Sequence, residues 1–357
     1  LYLCKYGWRK AISFWWKNVI IIGTNNIMVS YGNVYIQQKR FEFETKDEER
    51  WPQQMTVHHF QPQHYFNTIG THQPVLHIGD GDTVVTSTVD ARGMDLKGDV
   101  VAARGNPMTG PFYVEGAMPG DTLEVRLESM VPNREWGWTR NALATNVVDP
   151  QAVAALPPSE IVRWTVDASK GIAFIEEPSS GLANLKLPLR PFLGCFGVAP
   201  AIGQSISTAT SGEYGGNMDY KELVAGVTVY FPVSAEGALF HLGDGHAVQG
   251  CGEIVGTGIE IPLDVRFTVR VLKGKTIGWP RGESDTHLFC IGNSRPLDQA
   301  LQHATTEMLA LLGEDYGLTA VEASLLLGQT VEYDVANVYN PAYSVACKIS
   351  KAVLASL

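Results

Sequence analysis

The chain has 357 residues, 45% of them hydrophobic and 18% charged, a balance that suits a globular protein with a sizeable core in one large domain or two modest ones. A formal net charge of -10 argues against nucleic acid or an anionic membrane as the main partner, because phosphate binding needs clustered Lys and Arg. The five cysteines (Cys4, Cys195, Cys251, Cys290 and Cys347) are odd in number, scattered and without a C-x-x-C pair, which supports neither a disulfide framework nor a thiolate zinc site and sets a cytoplasmic compartment as the expectation.

Residues 1–54 differ from the rest. They are rich in Trp, Tyr, Lys and Asn, and the apolar run around Trp15 to Gly23 is interrupted by Lys17 and Asn18, short of the ~20 residues a membrane helix needs. A basic start without a small-residue cleavage site makes a poor secretory signal. From Met55 the composition is uniform, so the globular domain is expected to occupy residues 55–357 with Met55 as the native start, and residues 1–54 to be an upstream translated or added segment.

Strand patterns begin at Val75. Thr83 to Val89 follows Gly81-Asp82, and Thr122 to Leu127 follows Gly120-Asp121, so a Gly-Asp-Thr turn opens each strand. Between them, the two prolines of the run from Gly105 to Pro111 predict an ordered loop. Residues 132–190 read as long loops and isolated strands. Val227 to Val233 and Val265 to Leu272 are the clearest later strands by β-branched content. Leu297, Leu301, Ala304, Met308 and Leu311 then form one apolar stripe, predicting a helix that starts near Pro296 and ends at Gly313. Thr319 to Leu327 predicts a second helix, with Thr319 and Glu322 as its capping box. The fold class is α+β: β-dominated, a sandwich or barrel with a small helical layer.

The richest segment chemically is Phe240 to Glu253, where Asp244, His246, Cys251 and Glu253 lie among four glycines and a tightly turning loop is expected to gather them. Asp244 and His246 are ligand types for a divalent metal, and Glu253 is an acid–base candidate; the bland alternative is a turn-capping Asp and a core histidine. His241 is expected to point elsewhere. Ser211 to Asp219 is a second glycine-rich turn, in which Asn217 or Asp219 either caps a short helix at Tyr220 to Ala225 or joins the site. Asp90, ending a strand, is either a ligand or a turn cap. Cys251 offers a nucleophile with Glu253 or His246 as base, although a lone cysteine is more often a small hydrophobe. The G-x-S-x-G, P-loop and H-E-x-x-H patterns are missing.

Taken in order, these pieces resemble the acetamidase/formamidase family over about Val75 to Val353: Val89-Asp90-Ala91, the run from Asn106 to Ala117, Gly197 to Pro200, Gly215 to Asp219, Leu242 to Ala247, Gly252-Glu253 and Ile259-Glu260. The resemblance implies hydrolysis of formamide, acetamide or similar short amides to carboxylate and ammonia, on a β-rich α+β fold, by a homo-oligomer. It carries over Asp90, Asn217, Asp219, Asp244, His246 and Glu253 as the polar cluster. It also suggests a divalent metal. From what amide hydrolysis requires, the expected ion is zinc or alternatively calcium, with Asp244 and His246 as ligands, Asp90 or Asp219 completing the shell, Glu253 as proton shuttle and Asn217 or backbone N–H groups on the oxyanion. The chain departs from the family at Cys251, where Asp is common. Two other readings stand beside this one: a cysteine amidase using Cys251, and a metal-stabilised β-domain that binds a small ligand without turning it over.

Overall fold

The computed structural model describes residues 55–357 and, of the segment before them, only three short strands, Val19–Ile21, Ile27–Tyr31 and Val34–Tyr35, paired antiparallel in that order. The chain divides into two units, Leu1–Pro52 and Gln53–Leu357. The expectation that residues 1–54 are foreign to the native protein lies outside the described residues.

The larger unit is built on a nine-stranded sheet. Its spatial order is Glu332–Asn337, Tyr343–Ser350, His287–Ser294, Arg281–Glu283, Thr228–Pro232, Thr122–Pro132, Leu263–Leu272, Thr83–Ser87 and Val57–His59, antiparallel except for the last pair. The central strands alternate buried and less buried residues, as a sheet requires when one face packs on a core. The two Gly-Asp-Thr devices work as the sequence predicts. Asp82 accepts from the main-chain N–H of Thr56 and Gly79, and Asp121 from that of Met118 and Gly274, and the two strands they open flank Leu263–Leu272 on either side.

A six-stranded sheet faces it: Ser211–Gly212, Gly215–Asn217, Phe192–Gly197, Phe240–His246, Thr109–Val114 and Leu76–Ile78. Aromatic rings tie the two sheets together. Phe267 of the large sheet meets Phe112 and Phe240 of the smaller one at 5.4 and 5.2 Å between centroids, and Phe231 meets Phe196 at 5.5 Å. Edge-on and tilted rings at this spacing fill the gap between sheets and exclude water. The architecture is a sandwich and not a closed barrel. A four-stranded sheet, Trp136–Arg140, Ile161–Asp167, Ile172–Ile175 and Leu187–Pro188, fills residues 132–190, and its first strand bridges at Trp138 to Glu260.

The helical layer covers the far face of the large sheet. Helix α1 (Leu297–Tyr316) and helix α2 (Ala320–Thr330) enclose a second, smaller core with Cys290, Cys347 and Ile349. Helix α1 runs through Gly313 and stops at Gly317, whose φ of 68° takes the left-handed cap that a side chain would resist. The buried face is Ala300, Ala304, Met308, Leu311 and Leu312, and Leu301 of the expected stripe is 38% exposed. Tyr220 to Ala225 forms turns, not a helix. Among the described residues no helix is long and apolar enough to cross a membrane.

The capping box of α2 is complete, with Thr319 Oγ1 accepting from the Glu322 N–H and Glu322 Oε2 accepting from the Thr319 N–H at 2.8 Å. Thr319→Ala is expected to destabilise the domain by ~1 kcal/mol in urea unfolding; a change near zero would mean that packing alone sets where this helix begins.

Candidate active site

The Phe240–His246 strand is buried at every position and lies between Phe192–Gly197 and Thr109–Val114. A strand, and not the expected turning loop, therefore presents the chemistry. Asp244 and His246 are two residues apart, so the period-2 geometry sends both side chains to one face. The glycines serve close approach. A β-carbon on Gly245 would come within 2.5 Å of the Ile261 carbonyl oxygen. One on Gly194, in the neighbouring strand, would come within 2.3 Å of Asp219 Oδ1 and 2.7 Å of Asp244 Oδ2. The missing side chain of Gly194 is the space in which these two carboxylates meet.

Five ionisable side chains converge there. Asp219, His246 and Glu253 have ligand-type atoms within 4.8 Å of one another, and so do Asp244, His246 and Glu260. All five are essentially buried. Asp219 follows the Gly215–Asn217 strand, Glu253 lies in the turns after Phe240–His246, and Glu260 is delivered by its bridges to Trp138 and His246. Two asparagines steady the acids: Asn337 Nδ2 donates to Asp219 Oδ2 at 3.0 Å and to Glu253 Oε2 at 2.5 Å, and Asn340 Nδ2 donates to Asp219 Oδ2 at 2.6 Å. Asn106 Nδ2 donates to Asp244 Oδ2 and to Asn217 Oδ1, both at 3.2 Å.

Gln249 fixes the histidine. Its Nε2 donates to the Asp219 carbonyl at 2.8 Å, which leaves Oε1 to accept from His246 Nδ1 at 2.8 Å. Nδ1 thus carries a proton, and Nε2 turns to the acids, 3.0 Å from Glu260 Oε1 and 3.6 Å from Asp244 Oδ1 without the alignment of a hydrogen bond. An amide that orients a ring from its far side is a common support for a metal-ligating histidine.

Four carboxylates surround one imidazole in a dry interior. Burial pushes the carboxyls of Glu253 and Glu260 up to about 8, although the His246 charge pulls both back. Burial, then the neighbouring Glu253 and Asp244, hold Asp219 well above the carboxylate range. For His246 burial opposes the charged ring, but Glu260 and Asp244 outweigh it and raise its pKa well above 6.5. Asp219 Oδ1, Asp244 Oδ1, Glu260 Oε2 and His246 Nε2 are all buried without a hydrogen-bond partner. Buried polar atoms in this state are rare, and these four converge. The residues fit a divalent cation: an oxygen-rich set with one imidazole suits a hard or borderline ion.

The structure sorts the sequence-derived candidates. Asp219, Asp244, His246 and Glu253 come together. Asn217 stands beside them, lining a cavity of about 330 Å³ with Asp244, Glu253 and Glu260 in its floor. Asp90 is not brought into either group: its oxygens accept from Arg134 Nη2 at 2.8 Å, Trp138 Nε1 at 3.1 Å and the main-chain N–H of Arg92 and Met94, so it organises the loop after its strand. His241 points away, its Nδ1 on the Leu239 carbonyl, and burial pushes its pKa down to about 3. Cys251 is exposed and does not line the cavity, so neither a nucleophilic role nor a ligand role for its side chain finds geometric support.

Sequence reasoning missed Glu260, Gln249, Asn337, Asn340 and Asn106 as site residues. Glu260 and Asn106 stood within family-like motifs, and Asn337 and Asn340 offered no local signal at all. A larger cavity of about 660 Å³ lies between the large sheet and α1, and most of its charged side chains are paired, as in Lys275–Asp315 and Lys351–Glu283, with Glu124 the exception.

Comparison with known proteins points to one family. The model of the acetamidase/formamidase family matches residues 71–206 and 202–299. A Schizosaccharomyces pombe protein assigned by inference as a formamidase is 26% identical over 252 residues, 55% of this chain, and the match spans 61% of that protein's length. The crystal structure of a predicted acetamidase/formamidase from Thermoanaerobacter tengcongensis superposes with a TM-score of 0.74 at 27% identity, covering 85% of this chain and 98% of that one. An acetamidase from Yersinia enterocolitica gives 0.74 at 29% identity, covering 85% and 94%.

Two outcomes follow from the buried acids. In chelator, the folded chain keeps protons on Glu253 and Glu260 up to about pH 8, whereas the unfolded chain releases them near 4.5. Folding then takes up protons between those limits, so stability falls as pH rises through the window; His246, raised above 6.5, loses its stabilising charge in the same direction. The unfolding midpoint in chelator should drop by ~5 °C or more between about pH 5 and about pH 9, and a saturating divalent ion should flatten that slope. A midpoint that rises with pH in chelator would contradict the charge assignment. Gly194→Ala should weaken divalent-ion binding ~10-fold or more by calorimetric titration, because its methyl occupies the space where Asp219 and Asp244 meet; unchanged affinity would move the ion elsewhere.

Proposed function

Because the chain belongs to the acetamidase/formamidase family, we propose that it is an amidohydrolase cleaving the C–N bond of short linear amides to carboxylate and ammonia. The observation that carries this reading is the buried convergence of Asp219, Asp244, His246, Glu253 and Glu260 beneath a small cavity. A site that merely stabilised the fold would have no need of an opening above it.

Amide hydrolysis has three requirements: the carbonyl oxygen must be polarised, a water activated and the leaving nitrogen protonated. The donor set suits zinc, with calcium as the alternative, held by Asp219, Asp244, His246 and Glu260. When bound, such an ion supplies Lewis acidity toward the carbonyl and the attacking water. The remaining work falls to the chain. Glu253 is the shuttle, taking a proton from water and returning it to the departing nitrogen; burial raises its carboxyl to about 8 in the metal-free site, and a bound cation pulls it back toward neutral pH. Asn337 holds the Glu253 carboxyl in place. Asn217 spends its Oδ1 on Asn106, which leaves its Nδ2 to donate to the developing oxyanion from the cavity wall. Gln249 keeps His246 in one tautomer throughout. The unpaired cysteines suit a reducing, cytoplasmic setting, and the apolar side chains exposed on α2, Val321 and Leu325, suit a homo-oligomer.

Purified protein is expected to release ammonia from formamide or acetamide, to lose that activity on exhaustive chelation and to regain it with zinc. Glu253→Gln should lower kcat ~100-fold or more with little change in KM. Normal turnover by that variant would remove the shuttle, and undiminished activity in chelator would remove the metal.

A further inference from the structure

The cavity over the carboxylates is built unevenly. Its floor is acidic, with Asp244, Glu253 and Glu260, and its rim is basic, with Arg92, Arg104 and Arg140. These three guanidinium groups form no ion pair among the described residues, as is also true of Arg126, Arg270 and Arg295, while Arg134, Arg163, Arg190, Arg266 and Arg281 are each paired; the three on the rim are the unpaired ones that line this cavity. Arg140 Nη1 donates only to Ser159 Oγ at 3.3 Å, and Arg92 lies over the Trp138 ring at 5.3 Å. In a chain of net charge -10, acids are not scarce. Asp95, in the same loop as Arg92 and Arg104, turns its carboxylate instead to the main-chain N–H groups of Lys97 and Asp99.

The loop that carries two of these arginines is firmly held. Gly105 and Asn106 donate their N–H groups to the Ala91 carbonyl, closing the loop at its base. Asn67 Nδ2 gathers the carbonyls of Ala103, Arg104 and Gly105, and Asp90 binds the N–H groups of Arg92 and Met94. Both arginines are thus placed over the cavity by a fixed backbone. The cavity, at about 330 Å³, also has room for more than a formamide or acetamide.

We propose that the substrate of this site is an amide that also bears a carboxylate, with its C–N bond over the acidic floor and its carboxylate on the rim formed by Arg92, Arg104 and Arg140. This deepens, and rests on, the hydrolase reading above. Arginine is the side chain suited to such a contact, since its planar fork matches a carboxylate with two parallel N–H donors. The reaction needs no partner besides water: the water oxygen bonds to the carbonyl carbon, the C–N bond breaks, and the nitrogen leaves with the proton returned by the shuttle. With the carboxylate on the acyl side the products are a dicarboxylate and ammonia; with it on the nitrogen side they are a carboxylate and an amino acid.

The test compares kcat/KM of the metal-loaded protein for two anionic amides and their neutral counterparts: succinamate against succinamide for the acyl side, and N-formylglycine against N-methylformamide for the nitrogen side. At least one anionic amide should be favoured ~10-fold or more, as expected for a charge-assisted contact, and that preference should shrink as salt is raised. The one favoured identifies the side that carries the carboxylate. In the double variant Arg92→Gln, Arg104→Gln the anionic-to-neutral ratio should fall ~10-fold, and Arg104→Glu alone should reverse the preference, with unfolding midpoints checking that each variant is folded. Turnover of neutral short amides with no preference for either anionic one, or a ratio untouched by these substitutions, would overturn this proposal and leave the hydrolase reading standing. No release of ammonia or amine from any of them would overturn both.

Discussion

The constraint on which the site depends is charge balance in a dry interior. Asp219, Asp244, Glu253 and Glu260 bring up to four negative charges against one imidazole, in two groups that share His246, with little exposure for any of them. Such a set cannot remain ionised alone, because desolvation and mutual repulsion both favour the neutral form. It either takes up protons or holds a cation. Much of the surrounding structure serves that balance. Asn337 and Asn340 supply donors to the acids from the edge strand and the loop after it, Gln249 directs Nε2 of His246 inward, and Gly194 gives up its side chain so that two carboxylates can meet.

The same constraint separates acids of the same type into different roles. Asp90 is as buried as Asp219, yet it has Arg134 at 2.8 Å and three further donors, so its charge is matched and its oxygens are used. Asp219 keeps one oxygen without a partner. A sequence shows two aspartates, each after a strand-like run; only the placement of Arg134, 44 residues away in sequence from Asp90, distinguishes a loop organiser from a site carboxylate.

What could be read in the sequence was local. The Gly-Asp-Thr openings, the α2 capping box and the strands at Val227 to Val233 and Val265 to Leu272 all rest on neighbours in the chain, and they appear where the residues place them. Within the site, Asp244, His246, Asn217, Asp219 and Glu253 were legible because they sit in glycine-rich motifs. The misreadings share a cause. Glycines in Phe240 to Glu253 suggested a turning loop, since glycine is the usual turn residue, whereas Gly243 and Gly245 lie in a central strand where neighbouring chains press close. Gln249, Asn337 and Asn340 act through contacts made only by the tertiary fold, and no spacing rule connects Asn337 with Asp219, 118 residues away.

Backbone conformation adds a further constraint. Seven non-glycine residues among those described have positive φ, and four of them, Asn106, Asp219, Asp244 and Glu253, belong to the site, with φ between 45° and 58°. Asn and Asp tolerate the left-handed region through local hydrogen bonds, but Glu gains no such relief. Strain of this kind costs ~1–3 kcal/mol per residue and persists only where the surroundings over-determine it. Here they do so at Glu253, where Asn337 binds the carboxyl and the Gly252 N–H is held by the carbonyls of Val335 and Ala336. The edge strand of the large sheet therefore acts on the site in two ways, through the side chain of Asn337 and through the backbone that fixes the turn. That coupling explains why the acid assigned as proton shuttle stands on a short turn and yet is as firmly placed as the acids delivered by strands.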